Sequence, residues 1–214
     1  MQLIKKFLAN TEYEDFDISV VSADASFRRY FRLTKDSESL IVMDSSREKD
    51  SLKPFMDISS KLAAVGVSVP QIYYQDLDEG FLIIEDFGGT DLLSSLDDQN
   101  FKFFYKEAIG EIVKMQKADS SELPPYDKNF LLKEMCLMKE WFLDEYLKIS
   151  DYDKVAIDNL LDVIAQETLM QPQKCFVHRD FHSRNIMVMD GDRIGIIDYQ
   201  DAMSGAATYD LVSL

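Results

Sequence analysis

The stretch CFVHRDFHSRNIMVMDGDRIGIIDYQDA, residues 175–202, carries most of what this chain discloses about its fold. Cys175–Val177 reads as a short apolar strand ending in a polar cluster, His178 to Asn185. Two more apolar strands, Ile186–Met189 and Ile194–Ile197, flank Asp190-Gly191-Asp192-Arg193, and the second runs out at Asp198. If Gly191-Asp192 is a two-residue loop, the turn is type II′ and Asn185 stands opposite Asp198. If Asp190-Gly191 is the loop, the turn is type I′ and Asp198 stands opposite Ser183. The turn residues alone leave both registers open.

In the first register the Cβ atoms of Asn185 and Asp198 lie about 4.5–5.5 Å apart. An amide oxygen and a carboxylate at that separation can share one Mg²⁺. Asp180 precedes Asn185 by five residues, and a loop of that length can return its carboxylate to the same centre. One carboxylate that accepts a proton and two oxygen ligands for a cation are what phosphoryl transfer from ATP requires. Asp and Asn singly also cap turns. The combination His178-x-Asp180-x4-Asn185, a hairpin, then Asp198 is more than turn capping demands.

Outward from this segment the chain has two characters. Residues 18–86 are strand-rich: Ile18–Ala23, Arg29–Leu33, Leu40–Met43, Gln71–Gln75 and Phe81–Glu85 are the expected strands. Between the third and fourth, Phe55, Ile58, Leu62 and Val65 recur at helical spacing, and Gly66 follows as a C′ residue. Glu85-Asp86-Phe87-Gly88-Gly89 reads as a linker. Beyond it, helices are expected over Phe101–Lys117, with Phe104, Ala108, Ile112 and Met115 on one face, over Asn129–Lys148, and over Tyr152–Met170. The expected domains are therefore 1–86 and 87–214.

Composition excludes several classes. The 214 residues are 46% hydrophobic and 29% charged, so the chain is globular. Its longest apolar runs, such as Leu40–Met43 and Phe81–Ile84, fall far short of the about 20 residues of a membrane span. The start MQLIKKFLAN lacks the length and cleavage site of a signal peptide. The net charge of −16 is spread over both halves, which argues against nucleic acid and anionic membrane as partners. Cys136 and Cys175, 39 residues apart, read as two buried thiols of a cytoplasmic protein.

His178-Arg179-Asp180 through Asn185, with Asp198, resembles the catalytic loop and metal-binding Asp of protein-kinase-like enzymes. Tyr199-Gln200 in place of the usual Phe-Gly resembles the aminoglycoside phosphotransferase (choline-kinase-like) branch. SADASFRRYFRL (22–33), LPPYDKNFLLKE (123–134), KEWFLDEYL (139–147) and HRDFHSRNIM (178–187) resemble bacterial anomeric kinases of N-acetylmuramate and N-acetylglucosamine. The resemblance implies an α+β, protein-kinase-like two-lobe fold, with an antiparallel N-lobe sheet and a mainly helical C-lobe. It implies ATP and Mg²⁺ as cofactors, a small-molecule sugar or amino-alcohol acceptor, and a place in cell-wall recycling. Asp180 would be the catalytic base, Arg184 a counter-charge to the transferring phosphate, and Asn185 and Asp198 the metal ligands. His178 would be architectural, and Asp210 would brace the catalytic loop.

On the nucleotide side, Ser26 and Phe27 would belong to the phosphate-covering loop, with Arg28 and Arg32 as nearby cations. Val42 would pack on the adenine, and Glu85 and Phe87 would form the hinge. One departure stands out: where the family carries a phosphate-binding lysine on its third strand, this chain has Met43-Asp44. Either Arg28, Arg32 or Lys49 would replace it, or the nucleotide would be held differently. On the acceptor side Glu134, Trp141 and Glu145 would share a helix face, and Arg179 would meet a substrate carboxylate. The resembling kinases continue with further helices beyond the point matching Leu214, so C-terminal helices are expected to be missing here. An aminoglycoside- or choline-type kinase and a catalytically silent nucleotide-binding protein are the alternatives.

Overall fold

A computed structural model describes residues 2–9, 11–22, 28–149 and 151–214. Strands β1 (Asp17–Ser22), β2 (Arg29–Lys35), β3 (Glu38–Asp44), β4 (Ile72–Asp76) and β5 (Phe81–Glu85) form one antiparallel sheet, in the order β1-β2-β3-β5-β4. The sheet lies wholly before residue 86, as expected.

Both faces of the central strands are covered, which is why β3 and β5 are apolar throughout their middles, Leu40–Met43 and Phe81–Ile84. On one face Leu40 and Val42 pack with Phe31, Leu33, Phe81 and Ile83 beneath helix α1 (Gln2–Leu8), which contributes Ile4, Phe7 and Leu8. On the other face Ile41, Met43, Leu82 and Ile84 meet helix α2 (Leu52–Ala64) through Leu52, Phe55, Ile58 and Leu62. Burying one such side chain stabilises the fold by about 1.5–3 kcal/mol. Helix α2 stops as its sequence implies. Gly66 takes φ +80, its N–H bonds the Ala63 carbonyl at 3.0 Å, and Val67 N–H reaches back to Leu62 at 3.1 Å. These two bonds and the buried Leu62 and Val67 make a Schellman cap.

The same core continues past the linker. Helix α3 (Leu92–Ser95) is followed by α4 (Phe101–Met115), whose buried face is Phe104, Ala108, Ile112 and Met115, as expected. Helix α5 (Lys128–Leu137) runs on into a π-helical segment, Met138–Tyr146, where the expected single helix over 129–148 changes pitch. The Leu147 N–H bonds Phe142, five residues back, at 2.9 Å. Helix α6 (Lys154–Leu169) packs on α5. Strand β6 (Cys175–Val177) pairs with β9 (Met203–Gly205), and β7 (Ile186–Met189) pairs with β8 (Arg193–Ile196). Helix α7 (Tyr209–Ser213) follows. Cys136 and Cys175 are both part-exposed and free, so the expectation of two buried thiols is corrected.

Candidate active site

Asp210 organises the loop that begins at His178. Its carboxylate, buried at the start of α7, accepts the main-chain N–H of His178 at 2.8 Å and of Arg179 at 3.0 Å. Burial raises its pKa to about 6, although the two N–H bonds favour the charged form. Arg179 sits at φ +79, a left-handed conformation that these bonds stabilise. His178 is fully buried and its Nε2–H donates to the Ile197 carbonyl at 3.0 Å. Burial pushes its pKa down to about 4, so the ring is neutral. This is the architectural part expected of it: it ties the loop to the end of β8. The Asp180 carboxyl is raised above the ordinary value, chiefly by desolvation, with the Asp198 and Asp201 charges adding to it and Arg179 and His182 opposing.

The hairpin corrects both expected registers. Ile186 stands opposite Ile196, not Ile197, because the loop has three residues, Asp190, Gly191 and Asp192. Gly191 and Asp192 both have positive φ, +73 and +58. Asn185 therefore lies opposite Ile197, whose N–H bonds its carbonyl at 3.1 Å. The two expected ligands still meet, by another route. Asp198 takes φ +65, which turns the chain out of the strand, and its Oδ2 comes within 3.4 Å of Asn185 Nδ2. Asn185 Nδ2 also donates to the Asp180 carbonyl at 3.0 Å, which leaves the amide oxygen without a hydrogen bond among the described residues. Gln200, where protein kinases usually have glycine, donates to Asp198 Oδ1 at 2.9 Å, a contact not foreseen from the sequence. Tyr199 is fully buried and stacks on Phe55 of α2, ring centroids 5.1 Å apart.

Between sheet and hairpin lies a cleft of about 800 Å³. Tyr30, Ile41 and Ile84 line it from the sheet, Asn185, Met187 and Asp198 from the hairpin. Val42 does not: it faces α1, in the opposite core, because side chains alternate along β3. Ile41 takes the place expected of Val42. Ser26 and Phe27 lie outside the described residues. Phe87 lines the cleft and packs on Gly195 of β8, where a Cβ would come within 2.4 Å of the ring. Glu85 lies at the cleft edge, its side chain accepting the Gln71 N–H at 3.2 Å.

The cations divide sharply. Asp44, at the place of the family lysine, is 1% exposed and paired with Arg29 at 2.5 Å across the β2–β3 ladder. Arg32 is paired with Asp86. Lys49 donates to the Asp78 carbonyl, away from the cleft. Arg28 and Arg184 line the cleft, one from each side of it, and Arg28 reaches Ser51 at 3.4 Å.

The expected acceptor group separates. Arg179 donates to Glu134 at 2.7 Å and lies over the Phe130 ring, so α5 is clamped to the catalytic loop. Glu134 also accepts from the Tyr126 hydroxyl. Trp141 is 66% exposed on the π-helical segment, and Glu145 is exposed too. The change of pitch after Leu137 removes the regular spacing that placed them on one face with Glu134. Arg179 is thus engaged by a protein carboxylate, where a substrate carboxylate was expected.

A sheet over helices, with a catalytic loop and hairpin closing the cleft, is the architecture of aminoglycoside kinases. The structure of ADP-bound aminoglycoside phosphotransferase APH(2'')-Ib aligns with a TM-score of 0.70 at 17% identity, covering 99% of this chain and 74% of that one. Residues 17–214 match the model of the phosphotransferase enzyme family, and the chain belongs to that family. It is 38% identical over 208 residues to an N-acetylmuramate/N-acetylglucosamine kinase of Neisseria meningitidis, covering 94% of this chain and 61% of that protein. It is 36% identical over 196 residues to the kinase of the same name from Pseudomonas aeruginosa, covering 90% and 57%. The chain thus spans about three-fifths of the length of the curated relatives it matches.

Proposed function

We propose that this chain carries the nucleotide and catalytic machinery of an ATP-dependent kinase that phosphorylates the anomeric hydroxyl of N-acetylmuramate and N-acetylglucosamine. The observation that carries the reading is that Asn185 and Asp198 meet at the cleft, with Asn185 also bonded to the Asp180 main-chain carbonyl, in a chain 34–38% identical to relatives with that name. In this reading the lobes divide after Asp86, and the protein serves cell-wall recycling in the cytoplasm.

Asp180 would accept the proton of the acceptor hydroxyl, or orient it, and geometry counts for as much as pKa in that role. Asp198 and the amide oxygen of Asn185 form an all-oxygen donor pair of the kind Mg²⁺ takes. A bound Mg²⁺ would neutralise phosphate charge. Arg28 and Arg184 would supply cationic charge from opposite sides of the cleft, in place of the family lysine. Glu85 and Phe87 would hold the nucleobase side. Glu134 and Arg179 would hold α5 against the loop, and Trp141 would offer the acceptor a ring face.

The test is a substrate panel with ATP and Mg²⁺, run with the full-length gene product: both amino sugars, an aminoglycoside and choline. Phosphate on the anomeric oxygen of both sugars is the expected result. Phosphate on the 6-hydroxyl, or faster turnover of the aminoglycoside or choline, would overturn it.

A further inference from the structure

Arg32 was expected among the phosphates, but the structure gives it another employment. It lies on the cleft-facing row of β2, opposite Ile41. Its Nε and Nη2 reach the two oxygens of Asp86 at 2.6 and 3.0 Å, and Nη2 also donates to the Gly88 carbonyl at 2.9 Å. Asp86 accepts two further bonds, from the Ser39 hydroxyl on β3 and from the Gly88 N–H at 2.8 Å. The Asp86 side chain is 4% exposed. Burial works against its charge, yet the bonds from Arg32, Ser39 and Gly88 hold its carboxyl below the usual range.

We propose that Arg32 and Asp86 form a latch that sets the linker conformation and thereby positions the nucleobase site. The inference rests on the kinase reading above. The bond from the Gly88 N–H to the Asp86 carboxylate closes a tight turn, and Gly88 takes φ +89, which glycine adopts without strain. One guanidinium grips both ends of that turn, the Asp86 carboxylate and the Gly88 carbonyl. Phe87 is therefore held between two fixed points, with its ring against Gly195. A bidentate guanidinium–carboxylate pair fixes orientation as well as distance, which a lysine cannot do. Two strands and the linker thus move as one body. Arg32 and Asp86 are positioning residues, and neither is required to touch the nucleotide.

The test is equilibrium binding of adenosine, AMP, ADP and ATP to the full-length protein and to Arg32→Lys and Asp86→Asn, with KM and kcat for ATP and a thermal melt of each. A latch acts on the base, so each variant should lose a similar factor, roughly tenfold on the scale of one charge-assisted hydrogen bond, across all four ligands. KM for ATP should rise more than kcat falls. A loss that grows with phosphate number would overturn the proposal and return Arg32 to the phosphates. Tighter ATP binding by Asp86→Asn would overturn it too, because freeing Arg32 would then help. Unchanged affinities in both variants would sink the latch alone. If the unaltered protein binds none of the four, the kinase reading itself falls.

Discussion

The two walls of the cleft are built on opposite plans. On the catalytic side, the polar groups that matter lie close in sequence: Asp180, Asn185 and Asp198 fall within one loop and hairpin, and Asp210 follows shortly. On the nucleotide side, the cations are claimed by partners far along the chain, Arg29 by Asp44 and Arg32 by Asp86. A local plan leaves a motif in the sequence. A plan of distant pairs leaves only a surplus of arginines.

The comparison can be broken by substitutions on each wall. The largest effect belongs to the catalytic side. Asp180→Asn should lower the rate of transfer about 10²–10⁴-fold while ATP binding is retained. Asp198→Ala should instead lose the Mg²⁺-dependent part of ATP binding. Steady-state kinetics with binding calorimetry separate the two, and equal loss of ATP affinity in both would erase the division of roles.

The next effect is on stability and its pH dependence. Buried His178 has a pKa of about 4 against 6.5 in an unfolded chain. Between these values the unfolded chain takes up the proton first, so the stability conferred by the neutral ring is full above pH 6.5 and lost as pH falls to 4. His178→Gln removes this dependence. The stability difference between wild type and variant should therefore shrink by about 3 kcal/mol from pH 6.5 to 4 in denaturant titrations. Asp210, raised to about 6, acts with the opposite sign: the native state binds its proton more tightly, so stability rises as pH falls from 6 to 3.8. A constant difference between wild type and His178→Gln over that window would show that the ring is not held neutral.

The smallest effect sharpens the contrast between neighbouring arginines. Arg28→Ala should weaken ATP binding by roughly tenfold, the scale of one charge-assisted hydrogen bond. Arg29→Ala should instead lower the melting temperature, because it strands the buried Asp44 without its ion-pair partner. Measured side by side, the same loss of ATP affinity in both would mean that the ion pair does not divide them.

Much of the fold was legible because it depends on short-range pattern. The buried faces of α2 and α4 follow helical spacing, and the stop at Gly66 follows from glycine's access to positive φ. The hairpin register was not legible. Asp190-Gly191-Asp192 allows several loops, and only packing selects the three-residue one. The side of β3 that meets the cleft was also undetermined, since Leu40 to Met43 is apolar throughout and both faces are covered. The expectation that Glu134, Trp141 and Glu145 share one face assumed a regular α-helical pitch, and the chain turns π-helical after Leu137.

By itself the sequence determined the chemistry available at the catalytic rim. Asp180, Asn185 and Asp198 are too close along the chain to be parted by any fold that keeps the loop and hairpin. The tertiary structure alone decided two things: how Asn185 and Asp198 meet, through the positive φ of Asp198, and which arginines are paired with buried carboxylates. Charge pairing acts through space and has no period along a chain. Residues as far apart as Arg32 and Asp86 can find each other only once strands and linker are in place.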